Sequence, residues 1–465
     1  MLAVLTRQIH RRTVLLIAYE HLLIVAAVFA GAWVRLGTDF ILVSRVDILQ
    51  KAMLIAAATQ LCLYYADLYD LRSITDRRDL FMRIVQALGG TSLLLALVYF
   101  WVPKLIIGRG VFMVAALLVI SVVTGWRLGF EWLSRRMSPR ERWLLVGTSA
   151  AAVTLTRELF ERRQELGIEI IGFVDPDPMK VGQPVLNPGV IGTIEDIPSI
   201  VRARGVDRVI VSLADARGKL PMDKLLEMKL DGDVSFAHLP TVYEDYTGKI
   251  AVENLRPSWL IFSEGFRKTR LLRAGKRALD IAAAGVGLVV AAPFLLLVGL
   301  LVRLTSPGPA LYHQQRVGQH GRIFIVHKFR SMRTDAEAKT GAVWATANDS
   351  RVTGFGRFMR RSRIDELPQL WNVLKGDMSF VGPRPERPEF VASLVEQIPF
   401  YGLRHAVRPG LTGWAQVRYT YGASVEDALE KLQYDLFYIK HVTIALDLFI
   451  MFMTLKTVLL RKGAQ

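Results

Sequence analysis

Residues 276–303 read KRALDIAAAGVGLVVAAPFLLLVGLLVR, and how this stretch meets a lipid bilayer decides the fold. From Ile281 to Val302 it carries no charge, a length of helix sufficient to cross about 30 Å of hydrocarbon. Pro293 stands in its middle. A proline inside a helix lacks the N–H donor and crowds the preceding turn, so it kinks or breaks the helix. A full span would carry the region after Arg303 to the far side of the membrane. That region is dense in arginine, and the positive-inside rule disfavours such a placement. Together these facts predict a helix–break–helix hairpin over 276–304 that enters and leaves by the cytoplasmic face, with Pro293 as the break. Lys276, Arg277 and Arg303 would then anchor its ends at anionic headgroups.

Upstream, four further apolar runs lie near Val14–Val34, Ile48–Tyr65, Ile84–Val102 and Val111–Trp126. Each matches the roughly 20 residues of a membrane-spanning helix, and none alternates as barrel strands do. The expectation is a four-helix transmembrane region over residues 1–135. Ala30-Gly31-Ala32 imitates a signal-peptidase site, but the run is long for a cleaved signal, which favours a retained first span. Arg7, Arg11 and Arg12, then Arg72, Arg77, Arg78 and Arg83, then Arg127, Arg135, Arg136, Arg140 and Arg142 fall on one side. That bias puts the N-terminus and everything after Arg127 in the cytoplasm. Glu20 and His21 lie inside the first span, where ionisable groups are functional or paired.

The whole chain has 465 residues, is 52% apolar and carries a formal charge of +17. The charge is divided: net +8 over residues 1–142, −5 over 143–264, +12 over 265–441 and +2 beyond. The single cysteine, Cys62, excludes an internal disulfide framework and any cysteine-based metal site.

The acidic middle unit, residues 141–250, alternates strand and helix patterns. Trp143–Gly147 reads as a buried strand turning into a helix near Ala150. Strands follow at Ile168–Val174 and Arg208–Ser212, and helices at Ile194–Ala203 and Leu220–Lys229. This predicts a Rossmann-like α/β domain with a parallel sheet. Its first turn reads Gly147-Thr148-Ser149-Ala150-Ala151-Ala152. It keeps only the first glycine of G-x-G-x-x-G, and the lost second glycine is the one that lets backbone approach a pyrophosphate. A structural or regulatory role is the better expectation.

The catalytic candidates lie in the basic unit, residues 265–441, above all in residues 360–386, RRSRIDELPQLWNVLKGDMSFVGPRPE. Ser362 is placed to cap a helix, with Asp365 three residues on. Pro368 belongs in a first turn, which puts Asp365 and Glu366 at a helix N-terminus. The helix dipole and Arg360, Arg361 and Arg363 favour an ionised Asp365 and an incoming phosphate. Gly382-Pro383-Arg384-Pro385 makes a stiff turn that aims Arg384. A hard oxygen ligand beside cationic clamps suits metal-assisted phosphate chemistry.

These motifs resemble the bacterial sugar transferase family, the monotopic polyprenyl-phosphate hexose-1-phosphate transferases. The resemblance runs from about Lys276 to Tyr438. It rests on KRALD at 276–280, SPGPALYHQQRVG at 306–318, KFRSM at 328–332, Arg351-Val352-Thr353, DELPQLWNVLKGDMSFVGPRP at 365–385 and RPGLTGWAQV at 408–417. Four spans and a degenerate nucleotide fold in front look like the large members, which initiate exopolysaccharide or O-antigen repeat units. The resemblance implies a mainly helical catalytic domain with a re-entrant hairpin. It implies transfer of a sugar-1-phosphate from a UDP-sugar to undecaprenyl phosphate, with Mg2+ as cofactor. Asp365 would be the nucleophile and form an aspartyl-phosphosugar intermediate. Glu366 would complete the dyad, and both carboxylates would serve the metal. Lys328, Arg360 and Arg384 match phosphate-binding positions, with Arg330 and Arg316 as further members. A homodimer in the bacterial inner membrane is implied as well. The sequence departs from the family at Ala292-Pro293, where Ser-Pro is common.

A membrane-anchored nucleotide-sugar dehydratase also joins four spans to a nucleotide fold, but it needs an intact G-x-G-x-x-G and a Tyr-x-x-x-Lys pair, and neither occurs. A non-enzymatic scaffold or sensor of polysaccharide assembly would tolerate Asp365→Asn. His313, His320 and His327 recur every seven residues in strand-and-turn sequence, a pattern that does not predict a shared metal face. The basic surface lacks the aromatic interleaving of nucleic-acid binders, so no nucleic-acid partner is expected. Residues 442–465 are apolar but contain Asp447 and Lys456, which predicts an interfacial helix rather than a span.

Overall fold

The computed structural model describes residues 11–37, 45–66, 68–69, 77–137, 141–212, 221–230, 234–252, 263, 265–336, 349, 351–419, 422 and 424–459. Arg7, Arg72 and Arg140 of the orienting basic set lie outside the described residues, as do Leu220 and the segment from Leu460 on. The chain divides into two compact units, residues 2–239 and 240–465.

The first unit opens with four helices: α1 (Arg11–Leu36), α2 (Arg45–Tyr65), α3 (Arg77–Trp101) and α4 (Arg109–Met137). All four are long and apolar enough to cross a membrane. Helices in lipid associate through close packing rather than hydrophobic exclusion, so small residues mark their contacts. At Gly31, towards the C-terminal end of α1, an added Cβ would come within 2.9 Å of the Ala115 backbone in α4.

Glu20 and His21 of α1 both have partners among the other helices. Glu20 is completely buried. Arg127 of α4 donates to it in a fork, Nε to Oε1 at 2.5 Å and Nη2 to Oε2 at 3.0 Å, while Nη1 donates to the Leu68 carbonyl. His21 Nδ1 pairs with Gln60 Oε1 of α2 at 2.8 Å. Arg127 is therefore a buried partner of Glu20 rather than a free orienting charge.

Beyond the helices lies a five-stranded parallel sheet in the order β3-β2-β1-β4-β5, built from β1 (Glu141–Val146), β2 (Ile168–Asp175), β3 (Val190–Thr193), β4 (Arg208–Val211) and β5 (Ser235–His238). Helices α5 (Ala150–Glu161), α6 (Ile197–Arg204) and α7 (Met222–Leu230) provide crossovers. Leu144, Val146, Val174, Ile197, Val209 and Leu225 share its core. The expectation of an α/β domain with a parallel sheet holds. β3 and β5 have four residues each and no apolar run of their own, so pattern alone did not mark them.

The second unit is built around α8 (Arg270–Thr305). Thr269 caps it by accepting from Leu272 N–H at 3.2 Å. Pro293 lies inside one helix, α8, so the expected hairpin requires a kink at Pro293 within that helix rather than two separate helices. Removing one donor does not end a helix when long runs of Ala, Val and Leu continue it on both sides. Its two halves pack on the same unit. Ala284 joins a cluster with Val326, Leu370, Val373 and Met378. Val298 and Val302 join one with Phe329 and Met359. Between them Val289, Val290 and Phe294 are exposed.

The anchoring role expected of Lys276 and Arg277 is also corrected. Lys276 Nζ donates to Asp447 Oδ2 at 2.6 Å and to Val381 O at 3.0 Å. Arg277 donates to Val373 O at 2.6 Å and Leu374 O at 2.7 Å, the last carbonyls of a helix. Both cations are taken by protein partners, and Arg303 alone of the three is exposed. Asp447, the charge that interrupts the C-terminal apolar run, is thereby a buried counter-ion.

Candidate active site

After α8 the chain forms an antiparallel hairpin, β6 (Leu311–Val317) and β7 (Ile323–Phe329). Helix α9 (Gly354–Arg361) follows, capped by Thr353, which accepts from Gly356 N–H at 2.9 Å. Ser362 does not open the next helix. It ends α9, its hydroxyl donating to Phe358 O at 2.8 Å. A short α-helix with a hydroxyl at its last turn satisfies a free carbonyl there, and this outcompetes the capping-box reading.

Arg363 then adopts φ +58°, unusual for a side chain with a Cβ. This reversal throws Ile364, Asp365 and Glu366 into a single 3-10 turn. Helix α10 (Gln369–Lys375) begins only after Pro368. The carboxylates thus precede the helix rather than occupy its first turn. α10 is closed by Gly376, whose φ of +104° suits glycine, and by Arg277 on its carbonyls.

Four of the predicted residues converge. Arg384 Nη2 donates to Glu366 Oε1 at 2.6 Å and Nη1 to Oε2 at 3.4 Å. Lys328 Nζ, from β7, donates to the same Oε1 at 3.3 Å. Asp365 is buried beside them, and its Oδ1 has no hydrogen-bond partner. Burial pushes the Asp365 carboxyl above its usual range and the Glu366 charge adds to this, while Lys328, Arg360 and Arg363 oppose it. For Glu366, burial acts upward too, but Arg384 and Lys328 overcome it and hold the carboxyl well below its usual range. Burial lowers the Lys328 ammonium against the pull of Glu366.

The other candidates stand further out. Arg360 Nε donates to Ser331 Oγ at 3.0 Å, and its charge acts on Asp365. Arg316 braces the turn that carries Arg384, donating to Pro385 O at 3.1 Å. Arg330 is not brought to the carboxylates. It clamps the end of α8, donating to Pro307 O, and to Ser306 O at 2.8 Å.

Sequence reasoning missed two supports. Arg404 Nη2 donates to Arg384 O at 3.0 Å and to Asp435 Oδ2 at 2.8 Å, which fixes the backbone that aims Arg384. Gly382 and Gly410 stack the turn on β9 (Gly410–Thr412), which pairs in parallel with β8 (Ser379–Val381). The glycines of RPGLTG were a signal for such close approach. His313 and His327, which spacing alone did not place together, face each other across the hairpin with Nδ1 atoms 2.8 Å apart, while His320 sits in the turn.

The buried carboxylate pair is thus asymmetric: Glu366 is neutralised by Arg384 and Lys328, and Asp365 keeps an oxygen without a hydrogen-bond partner. The chain belongs to the bacterial sugar transferase family. That family matches residues 271–461, and a family described as a CoA-binding domain matches residues 65–226. The chain is 39% identical over 259 residues to a UDP-N-acetylgalactosamine-undecaprenyl-phosphate N-acetylgalactosaminephosphotransferase of Aeromonas hydrophila, covering 56% of this chain and 60% of the relative. It is 33% identical over 359 residues to an undecaprenyl-phosphate glucose phosphotransferase of Komagataeibacter xylinus, covering 76% and 65%. It is 33% identical over 343 residues to a UDP-glucose:undecaprenyl-phosphate glucose-1-phosphate transferase of Escherichia coli (strain K12), covering 73% and 72%. The chain therefore spans somewhat less than two thirds of the first two relatives' own length.

Two groups can be tested for fit: the Mg2+ that the motif resemblance implies, and a nucleotide in the α/β domain, where the matching family is described as a CoA-binding domain. Among the described residues no three His, Cys, Asp or Glu side chains gather as a metal site. Mg2+ needs no such cage, because it binds through one or two carboxylates, waters and substrate phosphate oxygens. The open Oδ1 of Asp365 fits that mode, whereas both oxygens of Glu366 are engaged by cations. A nucleotide cofactor in the α/β domain does not fit. Thr148 Oγ1 donates to Asp175, whose carboxylate also accepts from Lys180 Nζ at 3.2 Å and Asp177 N–H at 3.0 Å. Ser149 caps α5 itself, accepting from Ala152 N–H at 3.2 Å. The acid that would meet a ribose is already engaged, and Ser149 already takes one of the helix-end N–H groups that would meet a phosphate.

Proposed function

We propose that this protein transfers a sugar-1-phosphate from a UDP-sugar to undecaprenyl phosphate at the cytoplasmic face of the inner membrane, and so initiates exopolysaccharide or O-antigen repeat units. The observation that carries this reading is the asymmetry of the pair: Glu366 is held by Arg384 and Lys328, while Asp365 Oδ1 is buried and unengaged. In this reading Asp365 Oδ1 attacks the sugar-bearing phosphorus of the donor. The bond from that phosphorus to the bridging oxygen breaks, and UMP leaves with it. A phosphate oxygen of the lipid then attacks the same phosphorus, and the bond to Asp365 breaks to restore the carboxylate. Lys328, Arg384 and Arg360 stabilise charge on the phosphoryl oxygens as these bonds exchange. Mg2+, when bound through substrate phosphate oxygens and the other oxygen of Asp365, would neutralise the diphosphate.

The topology belongs to the same proposal. Helices α1 to α4 cross the membrane, and α8 enters and leaves by one face. Support comes from the packing of α8: its two halves share cores with one compact unit. A helix that crossed would carry those packing partners to opposite sides of the bilayer. The exposed Val289, Val290 and Phe294 then form the part that enters lipid. Helices α11 (Pro388–Gln397) and α12 (Val425–His441) lead to the C-terminal helix α13 (Ile444–Leu459), which lies at the interface.

The test is transfer of radiolabelled sugar phosphate from a panel of UDP-sugars to undecaprenyl phosphate in membranes with Mg2+. Wild-type protein is expected to form lipid-linked sugar and release UMP, and Asp365→Asn to fall by about a thousandfold or more. Normal turnover by Asp365→Asn rules out the nucleophile assignment.

A further inference from the structure

Asn372 lies in α10 and is fully buried. Its side chain does not serve its own helix. Nδ2 donates to Ile325 O at 2.7 Å, and Oδ1 accepts from His327 N–H at 3.1 Å. Among the described residues β7 has one strand partner, β6, and these two groups lie on its other edge. A residue of a parallel partner strand would bond the carbonyl before Val326 and the N–H after it. The Asn372 amide makes that pair of bonds itself, so one side chain stands in for a missing strand. The Asn372 carbonyl in turn accepts from Gly376, Asp377 and Met378 N–H at 3.0, 3.1 and 3.2 Å, which pins the residue from behind.

Lys328 follows His327 directly in β7, and the turn carrying Asp365 and Glu366 runs straight into α10. We infer that Asn372 is a positioning residue that locks β7 to α10 and thereby holds Lys328 Nζ against Glu366. The kinetic consequence rests on the transferase reading above; the lock itself does not.

Two measurements test it on the full-length protein in nanodiscs. Hydrogen exchange on the wild type reads the lock directly. The His327 amide is expected to exchange as slowly as the amides bonded to β6, and exchange typical of an open edge overturns the lock. The second measurement is a double-mutant cycle on kcat/KM. Asn372→Leu and Asn372→Asp are expected to lower kcat/KM about tenfold or more in the wild type and to cost little further in a Lys328→Ala background, because the lock acts through Lys328. Equal losses in both backgrounds assign Asn372 a purely structural role and overturn the inference. If a variant does not accumulate, the exchange result decides. If the wild type transfers no sugar phosphate, the transferase reading falls while the exchange result still decides the lock.

Discussion

Asp365 and Glu366 share one turn but not one protonation range. Burial and the Glu366 charge raise Asp365, while Arg384 and Lys328 hold Glu366 low. On acidification Asp365 therefore takes up a proton first, and a protonated carboxyl is no nucleophile. The acid limb of kcat/KM is expected above the ordinary aspartate value. Lys328 is lowered by burial, so its charge is lost as pH rises, at a pH below the ordinary lysine value. A rate profile flat across both regions contradicts this arrangement. At this scale Asp365, Glu366, Lys328 and Arg384 were legible because their motifs are dense in charge. Ser362 was misread because a hydroxyl can serve either end of a helix, and only the positive φ at Arg363 decides which. Arg330 was misread because an arginine that clamps carbonyls and one that clamps phosphate look the same in sequence.

Elements show a different balance. The long helices and the parallel strands β1, β2 and β4 were plain from apolar runs, whereas β3 (VIGT) and β5 (SFAH), no shorter than β4, have their apolar residues broken by small and polar ones. The ion pair between α1 and α4 was half legible: Glu20 called for a partner, and spacing could not say that Arg127 supplies it. Removing one member leaves a buried charge, at a cost of about 3–5 kcal/mol. Glu20→Ala should therefore lower the thermal midpoint sharply, while Glu20→Leu combined with Arg127→Leu recovers much of the loss. Thermal unfolding in detergent reads this, and a double variant as unstable as the single one refutes a paired role. Pro293 teaches a related lesson, since a proline marks a weak point in a helix without requiring an end there.

The whole molecule sorts its charge by unit. Basic residues surround the apolar helices and the carboxylate pair, while the α/β domain between them is acidic and closes its own nucleotide position through Thr148, Asp175 and Lys180. If α8 re-enters and α13 stays at the interface, the last residue is cytoplasmic. In a Cys62→Ser background, Lys104→Cys should react with an impermeant maleimide from the periplasm, and Gln465→Cys should not. Periplasmic labelling at position 465 would overturn the one-sided placement of the second unit.

The central claim is that Asp365 carries the sugar phosphate between donor and lipid. The most direct measurement is mass spectrometry of the protein incubated with its UDP-sugar and Mg2+ in the absence of undecaprenyl phosphate. A phosphosugar adduct on the peptide containing Asp365 is predicted, with about one UMP released per protein, and the adduct should vanish when the lipid is added. Lipid-linked product formed at full rate with no adduct at Asp365 at any time would contradict the account.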